Sequence, residues 1–271
     1  MKKKIDIIIS FTNMLQKIAD TTVDTDYMET YNTVSKVLDG EIDPGSIYDV
    51  AYEIHDCDLD KPLLPCVKDF LMTVYQLGID EGNALCMNNM GCLYYLERCG
   101  MLDYKKAAHY YEMAVKEGCA LSAENIGYIY YYGFDTEVNY ELAYQYFSMA
   151  AIQGFVAAIY KVGDMFRYGY YVDKSATTAF AIYREAYEKC IHSENCHCSG
   201  NIYKRMGDAF YEGIGTEPDP VTALMFYQRA EQFFYDQIMA GDPFTGKDLD
   251  YVIKVQPKIR KMIAKQLPKM L

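Results

Sequence analysis

The sequence has no tryptophan, only four histidines in 271 residues, and no uninterrupted apolar run near the ~20 residues that a membrane-spanning helix needs. No membrane insertion is therefore expected. Basic residues are outnumbered, 26 Lys and Arg against 38 Asp and Glu, for a formal charge of −12. Such a field repels nucleic acid and anionic membrane surfaces and attracts basic partners. The nine cysteines are an odd number at irregular spacings. They outline no disulfide framework and suit a reducing compartment, so a cytoplasmic protein is expected. No Gly-rich phosphate loop, His-Glu-x-x-His motif or Ser/His/Asp order occurs. These absences point away from an enzyme and from a bound cofactor.

What the chain does have is tyrosine, 28 residues of it, and an apolar half large enough to bury a sizeable core. The opening MKKKIDIIISF joins three lysines to an apolar run, but Asp6 interrupts the run and no small-x-small cleavage site follows. Ile5, Ile8, Phe11, Leu15 and Ile18 read instead as one face of an amphipathic helix.

The strongest signal is internal. Gly91, Gly127 and Gly163 are 36 residues apart, as are Ala107, Ala143 and Ala179, and again Tyr111, Phe147 and Tyr183. A further step of 44 reaches Gly207, Ala223 and Tyr227. A period in this range predicts an all-α solenoid of helix pairs. Glycine in a helix costs roughly 1 kcal/mol against alanine, so four at one register imply a close approach. The alanines are expected as the facing small residues. Asp103, Asn139, Ser175 and Asp219 stand where the second helices begin and are good N-caps, with Pro220 suited to a first helical position. Gly118 and Gly154 should end second helices in the left-handed region.

Around these units the pattern weakens. Residues 1–46 read as an N-terminal helical cap and 47–83 as a degenerate repeat, with Tyr75 in register with Tyr111. The regular repeats are 84–118, 119–154, 155–199 and 200–241, followed by a C-terminal cap over 242–271 that Pro257 should kink or split. All are assigned to one domain. Cys190 stands where the third repeat's terminal glycine belongs, so CIHSENCHCSG (Cys190–Gly200) reads as an insertion in a solvent-facing connection between helices.

The stretches NIGYIYYYGFDTEVNYELAYQYFSMAAIQG, KVGDMFRYGYYVDKSATTAFAIYREAY and RMGDAFYEGIGTEPDPVTALMFYQRA resemble the Sel1-like repeat family, a relative of the tetratricopeptide repeats. NMGCLYYLERCGMLDYKKAAHYYEMAVKEG resembles it with an altered loop. The resemblance implies antiparallel helix pairs in a right-handed superhelix, and a scaffold or adaptor that binds a protein or peptide without catalysis. By analogy with tetratricopeptide repeats, the concave stripe is Asn88, Cys92, Tyr95; Glu124, Tyr128, Tyr131; Tyr160, Asp164, Arg167; Lys204, Asp208, Tyr211, bordered by Tyr132 and Tyr168. The spacing also lies on one helical stripe. Tyrosine supplies area, rigidity and a polar handle, and Asp164 and Asp208 are read as polar contacts that would steer a basic partner.

Two other readings are carried. One is an inhibitor or immunity-type protein that neutralises a basic target, suggested by the acidic balance. The other is a β-lactam-binding or hydrolysing enzyme, as described for a secreted, cysteine-rich branch of the family. That branch has regularly spaced cysteine pairs, whereas Cys92 and Cys99 here correspond to Tyr128 and Asp135 in the next unit. Cys190, His192, Cys196, His197 and Cys198 are the candidate zinc ligands, but Cys196-x-Cys198 is tighter than usual zinc spacings, and no metal is expected. His55 and His109 are isolated.

Overall fold

Four glycines at one register need a physical cause, and the computed structural model supplies it. It describes residues 2–22, 27–41, 46–57, 61–96, 100, 102–193, 196–240, 242 and 245–270, with side chains described within 10–265. A Cβ added at Gly91 would lie 2.6 Å from the Tyr111 ring, at Gly127 2.7 Å from Phe147, at Gly163 2.7 Å from Tyr183 and at Gly207 2.9 Å from Tyr227. Real Cβ atoms do not come so close. The alanines, expected as the facing small residues, are fully buried, but the atoms nearest each glycine belong to another residue. That residue is the aromatic one four places after each alanine.

Among the described residues the elements are all helices. They are α1 (Lys2–Thr22), α2 (Met28–Leu38), α3 (Ile47–Asp56), α4 (Pro65–Asp80), α5 (Ala84–Tyr95), α6 (Tyr104–Lys116), α7 (Ala120–Tyr132), α8 (Tyr140–Ile152), α9 (Val156–Tyr168), α10 (Ala176–Ile191), α11 (Ser199–Glu212), α12 (Pro220–Met239) and α13 (Gly246–Met270). The chain divides into two compact units, residues 1–122 with 134–136, and residues 123–133 with 137–271.

In the first unit, α1 buries Phe11, Leu15 and Ile18, and Phe11 meets Phe70 of α4 edge-on at 6.2 Å. The side chains of Ile5 and Ile8 lie outside the described residues, as does Cys99. The degenerate repeat is α3 with α4. Pro65 opens α4 at its first turn. His55 occupies the register of the repeat glycines, and its Nδ1 lies 2.8 Å from the Tyr75 hydroxyl. It is not isolated but buried against the same ring position that the glycines meet, whereas His109 is exposed.

In the second unit consecutive helices pack from α8 to α13. The expected caps form throughout the chain. Asp103, Asn139, Ser175 and Asp219 accept from backbone N–H groups of Lys106 (2.9 Å), Leu142 (3.0 Å), Thr178 (3.2 Å) and Val221 (3.0 Å). Gly118 and Gly154 have φ of +87° and +90°. The helix α13 buries Leu249, Val252, Val255 and Ile259 against α12 and runs through Pro257 without a split. Pro257 is on the exposed face, where water can replace the missing backbone bond.

The connection from α10 to α11 departs from expectation. Cys190 and Cys198 are each only 4% exposed and join the core with Tyr183, Ala186, Ile202 and Met206. The segment is not a simple solvent-facing loop, because its thiols fill the space between the two helices.

The glycine contact makes a clean prediction in the pair Gly127–Phe147, which has no hydroxyl to disturb. Gly127→Ala should lower stability by about 1–3 kcal/mol through overpacking. In a Phe147→Leu background the same change should cost less, a non-additivity read from urea-denaturation midpoints. Equal costs in both backgrounds would show that the ring does not set the glycine.

Candidate functional site

The residue after each repeat glycine is matched to the ring on the next helix. Tyr183 donates from its hydroxyl to Asp164 at 2.7 Å, and Tyr227 donates to Asp208 at 2.7 Å. Tyr111 donates to Cys92 Sγ at 3.4 Å. In the remaining repeat the ring is Phe147, which cannot donate, and the partner is Tyr128, packed edge-on against it at 5.2 Å. The ring therefore fixes both the glycine and the stripe residue beside it.

In the second unit these acids meet cations from neighbouring repeats. Arg205 of α11 grips Asp164 of α9 with Nη2 at 2.7 Å and Nε at 3.0 Å. In return Arg167 of α9 reaches Asp208 of α11 at 2.8 Å and Glu212 at 2.9 Å. Lys204 lies between Asp208 at 3.4 Å and Asp248 at 3.6 Å. Both aspartates are only 2% exposed. Burial pushes the Asp164 carboxyl up, but the Arg205 charge and hydrogen bonds outweigh it and hold the group below its ordinary range.

Beside this network Lys161 sits in a box of tyrosines. Its Nζ lies 4.4 Å from the centre of the Tyr131 ring, 4.7 Å from Tyr132, 5.2 Å from Tyr128 and 5.7 Å from Tyr160, and donates to the Tyr132 hydroxyl at 2.7 Å. These are cation–π distances. Burial pushes its ammonium down to about 7. Tyr128 and Tyr160 share a hydroxyl contact at 3.2 Å, and the Arg205 guanidinium covers Tyr160 at 4.5 Å.

At the edge of the box and beyond it the rings reach solvent. Tyr132 is 50%, Tyr168 48% and Tyr171 54% exposed. Tyr170 stacks on Tyr140 at 4.1 Å and lies 5.3 Å from Tyr168, whereas Tyr171 lies 5.7 Å from Tyr144. Arg167 lies 5.1 Å from the Tyr168 ring.

The expected stripe thus separates into parts. Tyr160, Asp164 and Asp208 are buried, as is Glu124, which accepts from the Ala158 N–H at 3.2 Å and whose carboxyl burial pushes up. Tyr128, Tyr131, Arg167, Lys204 and Tyr211 are half-buried, and Tyr132 and Tyr168 are the accessible members. Asp164 and Asp208 cannot steer a basic partner, because their charges are already paired. In the first unit Asn88 is buried and accepts from Ser122 at 2.8 Å, while Tyr95 packs on Tyr104 and Phe134.

Lys161 and Arg205 were absent from the expected site. Both stand two residues before a repeat glycine, where the first two repeats carry Asn89 and Asn125. A polar residue recurring at that register, turning cationic in the last two repeats, was the available signal.

Of the candidate metal ligands, His192 turns its Nδ1 to the Glu188 carbonyl at 2.7 Å, away from the cysteines. Among the described residues no group of three or more His, Cys, Asp or Glu side chains is arranged to hold a metal.

The Sel1 repeat model matches residues 84–119, 120–155, 156–189 and 203–232, half of the chain. No curated protein matches the sequence. Among solved structures, the chain is similar to c5321, described as a protective antigen present in uropathogenic Escherichia coli strains displaying an SLR fold (TM-score 0.60, 20% identity). The match covers 87% of this chain and 48% of that one, so it spans about half the length of that protein. A Sel1 repeat protein from Oxalobacter formigenes is also similar, with TM-score 0.55, 17% identity, and coverage of 81% and 89%. At these identities the likeness concerns the fold.

Two predictions follow from the buried charges. Arg205→Met should strand Asp164 and cost about 3–5 kcal/mol. Adding Asp164→Asn removes the charge, keeps an acceptor for Tyr183, and should recover most of the loss in urea melts. For Lys161 the folded pKa lies below the unfolded value, so the unfolded chain binds more protons between about pH 7 and the ordinary lysine range. This contribution should make stability rise with pH above 7. Lys161→Met should be stabilised relative to wild type at pH 7, with the gap narrowing towards pH 9. A gap independent of pH would show that burial does not lower the pKa of the amine.

Proposed function

The chain belongs to the Sel1 repeat family, and from that premise we propose that it is a non-catalytic, cytoplasmic adaptor that binds a protein segment across the tyrosine rim of its second unit. Sel1 repeat proteins generally mediate protein–protein interaction. The observation that carries the reading is the exposure of Tyr132 and Tyr168, each held by a cation, Lys161 for the first and Arg167 for the second, with exposed Tyr171 nearby in the chain. Rigid aromatic rings give a partner large contact area at little entropic cost, and interface energy concentrates on such anchors. The buried tyrosines and ion pairs of the expected stripe then act as the support of the surface, and the first contacts are made by the rim.

The test compares positions within one unit. A photo-crosslinker at Tyr132 or Tyr168 should capture a common partner from native cells, whereas one at exposed Arg184 or Glu185 on α10 should not. With that partner purified, Tyr132→Ala and Tyr168→Ala should together weaken binding by about 2 kcal/mol or more while circular dichroism is unchanged. Equal capture from α10, or undiminished affinity of the folded double variant, would falsify the rim as the binding surface.

A further inference from the structure

Three of the eight cysteines among the described residues converge on the α10–α11 connection, and they differ in accessibility. Cys190 and Cys198 are buried, whereas Cys196 is half-buried, and Cys196 and Cys198 both line a cleft of about 250 Å³. Glu124, Phe155, Val156, Ser193 and His197 complete most of that cleft. The Cys196 and Cys198 sulfurs are 3.5 Å apart. Ser199 ties the group together, its hydroxyl donating to the Cys196 carbonyl at 2.6 Å and lying 3.3 Å from Cys190 Sγ.

The cluster has a direction. The Cys198 thiol is in hydrogen-bonding contact with the Cys196 sulfur. Cys196 is the more accessible sulfur of the pair, and a second, buried thiol stands against it. Elsewhere, Cys92 receives the Tyr111 hydroxyl and its thiol is pushed up by burial, and Cys57, Cys66 and Cys86 are buried. None of them combines an open side with a thiol neighbour in hydrogen-bonding contact.

We infer that Cys196 and Cys198 form a thiol–disulfide exchange site, in which Cys196 attacks a low-molecular-weight disulfide entering the cleft and Cys198 resolves the product. In the first step the Cys196 thiolate forms a bond to one sulfur of RSSR, the S–S bond breaks, and RS⁻ leaves. In the second, Cys198 loses its proton to the departing thiolate and attacks Cys196 Sγ, releasing the second RS⁻, which takes a proton from water. The sum is one protein dithiol plus RSSR giving one protein disulfide plus two RSH. The protein is oxidised and the small disulfide reduced. The attacking thiolate must be accessible and the resolving thiol adjacent. Closing the pair shortens a 3.5 Å gap within a segment that is not helical, so α10 and α11 keep their backbones.

The experiment uses the reduced full chain and bis(2-hydroxyethyl) disulfide as the probe, followed by intact-mass analysis and peptide mapping. Wild type should lose two hydrogens, release two equivalents of mercaptoethanol, and map to a Cys196–Cys198 link. Cys198→Ser should stop at a mixed disulfide on Cys196. Cys196→Ser should leave Cys198 unmodified. In wild type Cys196 should react at least about tenfold faster than half-buried Cys119, because a thiol in hydrogen-bonding contact favours its thiolate form. Three results overturn the inference: Cys196 reacting no faster than Cys119, a link mapped to Cys190–Cys196, or no adduct accumulating in Cys198→Ser. The wild-type rate and map decide the matter even where a serine variant fails to fold.

Discussion

The contact on which the rest depends is an aromatic ring pressed against a glycine of the preceding helix. It sets the separation of each pair, because nothing larger than hydrogen fits beneath the ring. It also fixes the ring's hydroxyl, so the residue after the glycine must be something that hydroxyl can meet. Asp164, Asp208 and Cys92 accept from it, and Tyr128 appears where the ring is Phe147 and has nothing to give. One steric demand in the core thus dictates chemistry on the surface stripe.

The paired aspartates then demand cations. Two buried carboxylates one repeat apart are costly unless each is fully matched. The match is reciprocal: α11 sends Arg205 to Asp164 and α9 sends Arg167 to Asp208. Slipping either helix by one turn would break both pairs at once and leave charges unpaired in the interior. The energetic yield of buried ion pairs is small, but the penalty for misalignment is large, so the network specifies register between these two repeats.

Much of this was legible in the sequence, for a reason that also explains what was not. Period, caps and left-handed glycines are local properties, and Asp103, Asn139, Ser175, Asp219, Gly118 and Gly154 all do what their residue types dictate. The glycine's partner is a relation between two helices. Spacing could say that Gly127, Ala143 and Phe147 recur together, but not which of the latter two faces the first. The same limit hid Lys161 and Arg205, whose roles depend on rings and carboxylates of neighbouring repeats. It also misread CIHSENCHCSG as solvent-facing, because burial of Cys190 and Cys198 follows from how α10 and α11 close over them. Pro257 misled in the opposite way, since a local rule gave way to the packing of Val252, Val255 and Ile259 on α12.

Net charge was the least transferable of the global properties. Around the tyrosine box Arg167, Lys204 and Arg205 pair with the carboxylates Asp164, Asp208, Glu212 and Asp248, so most of the site's charge is cancelled locally within a chain of charge −12. At the other extreme, Lys254, Lys258, Lys261 and Lys265 lie on one exposed face of α13, where only Lys254 has a paired acid, Asp250, among the described residues. Charges separated by more than ~8–10 Å are largely screened at ordinary ionic strength. A partner approaching the rim therefore meets tyrosine over a largely paired network rather than the average field of the molecule. Its affinity must come from contact area and ring geometry, with charge deciding orientation only at the edges, where Glu212 and Asp248 remain partly open to solvent.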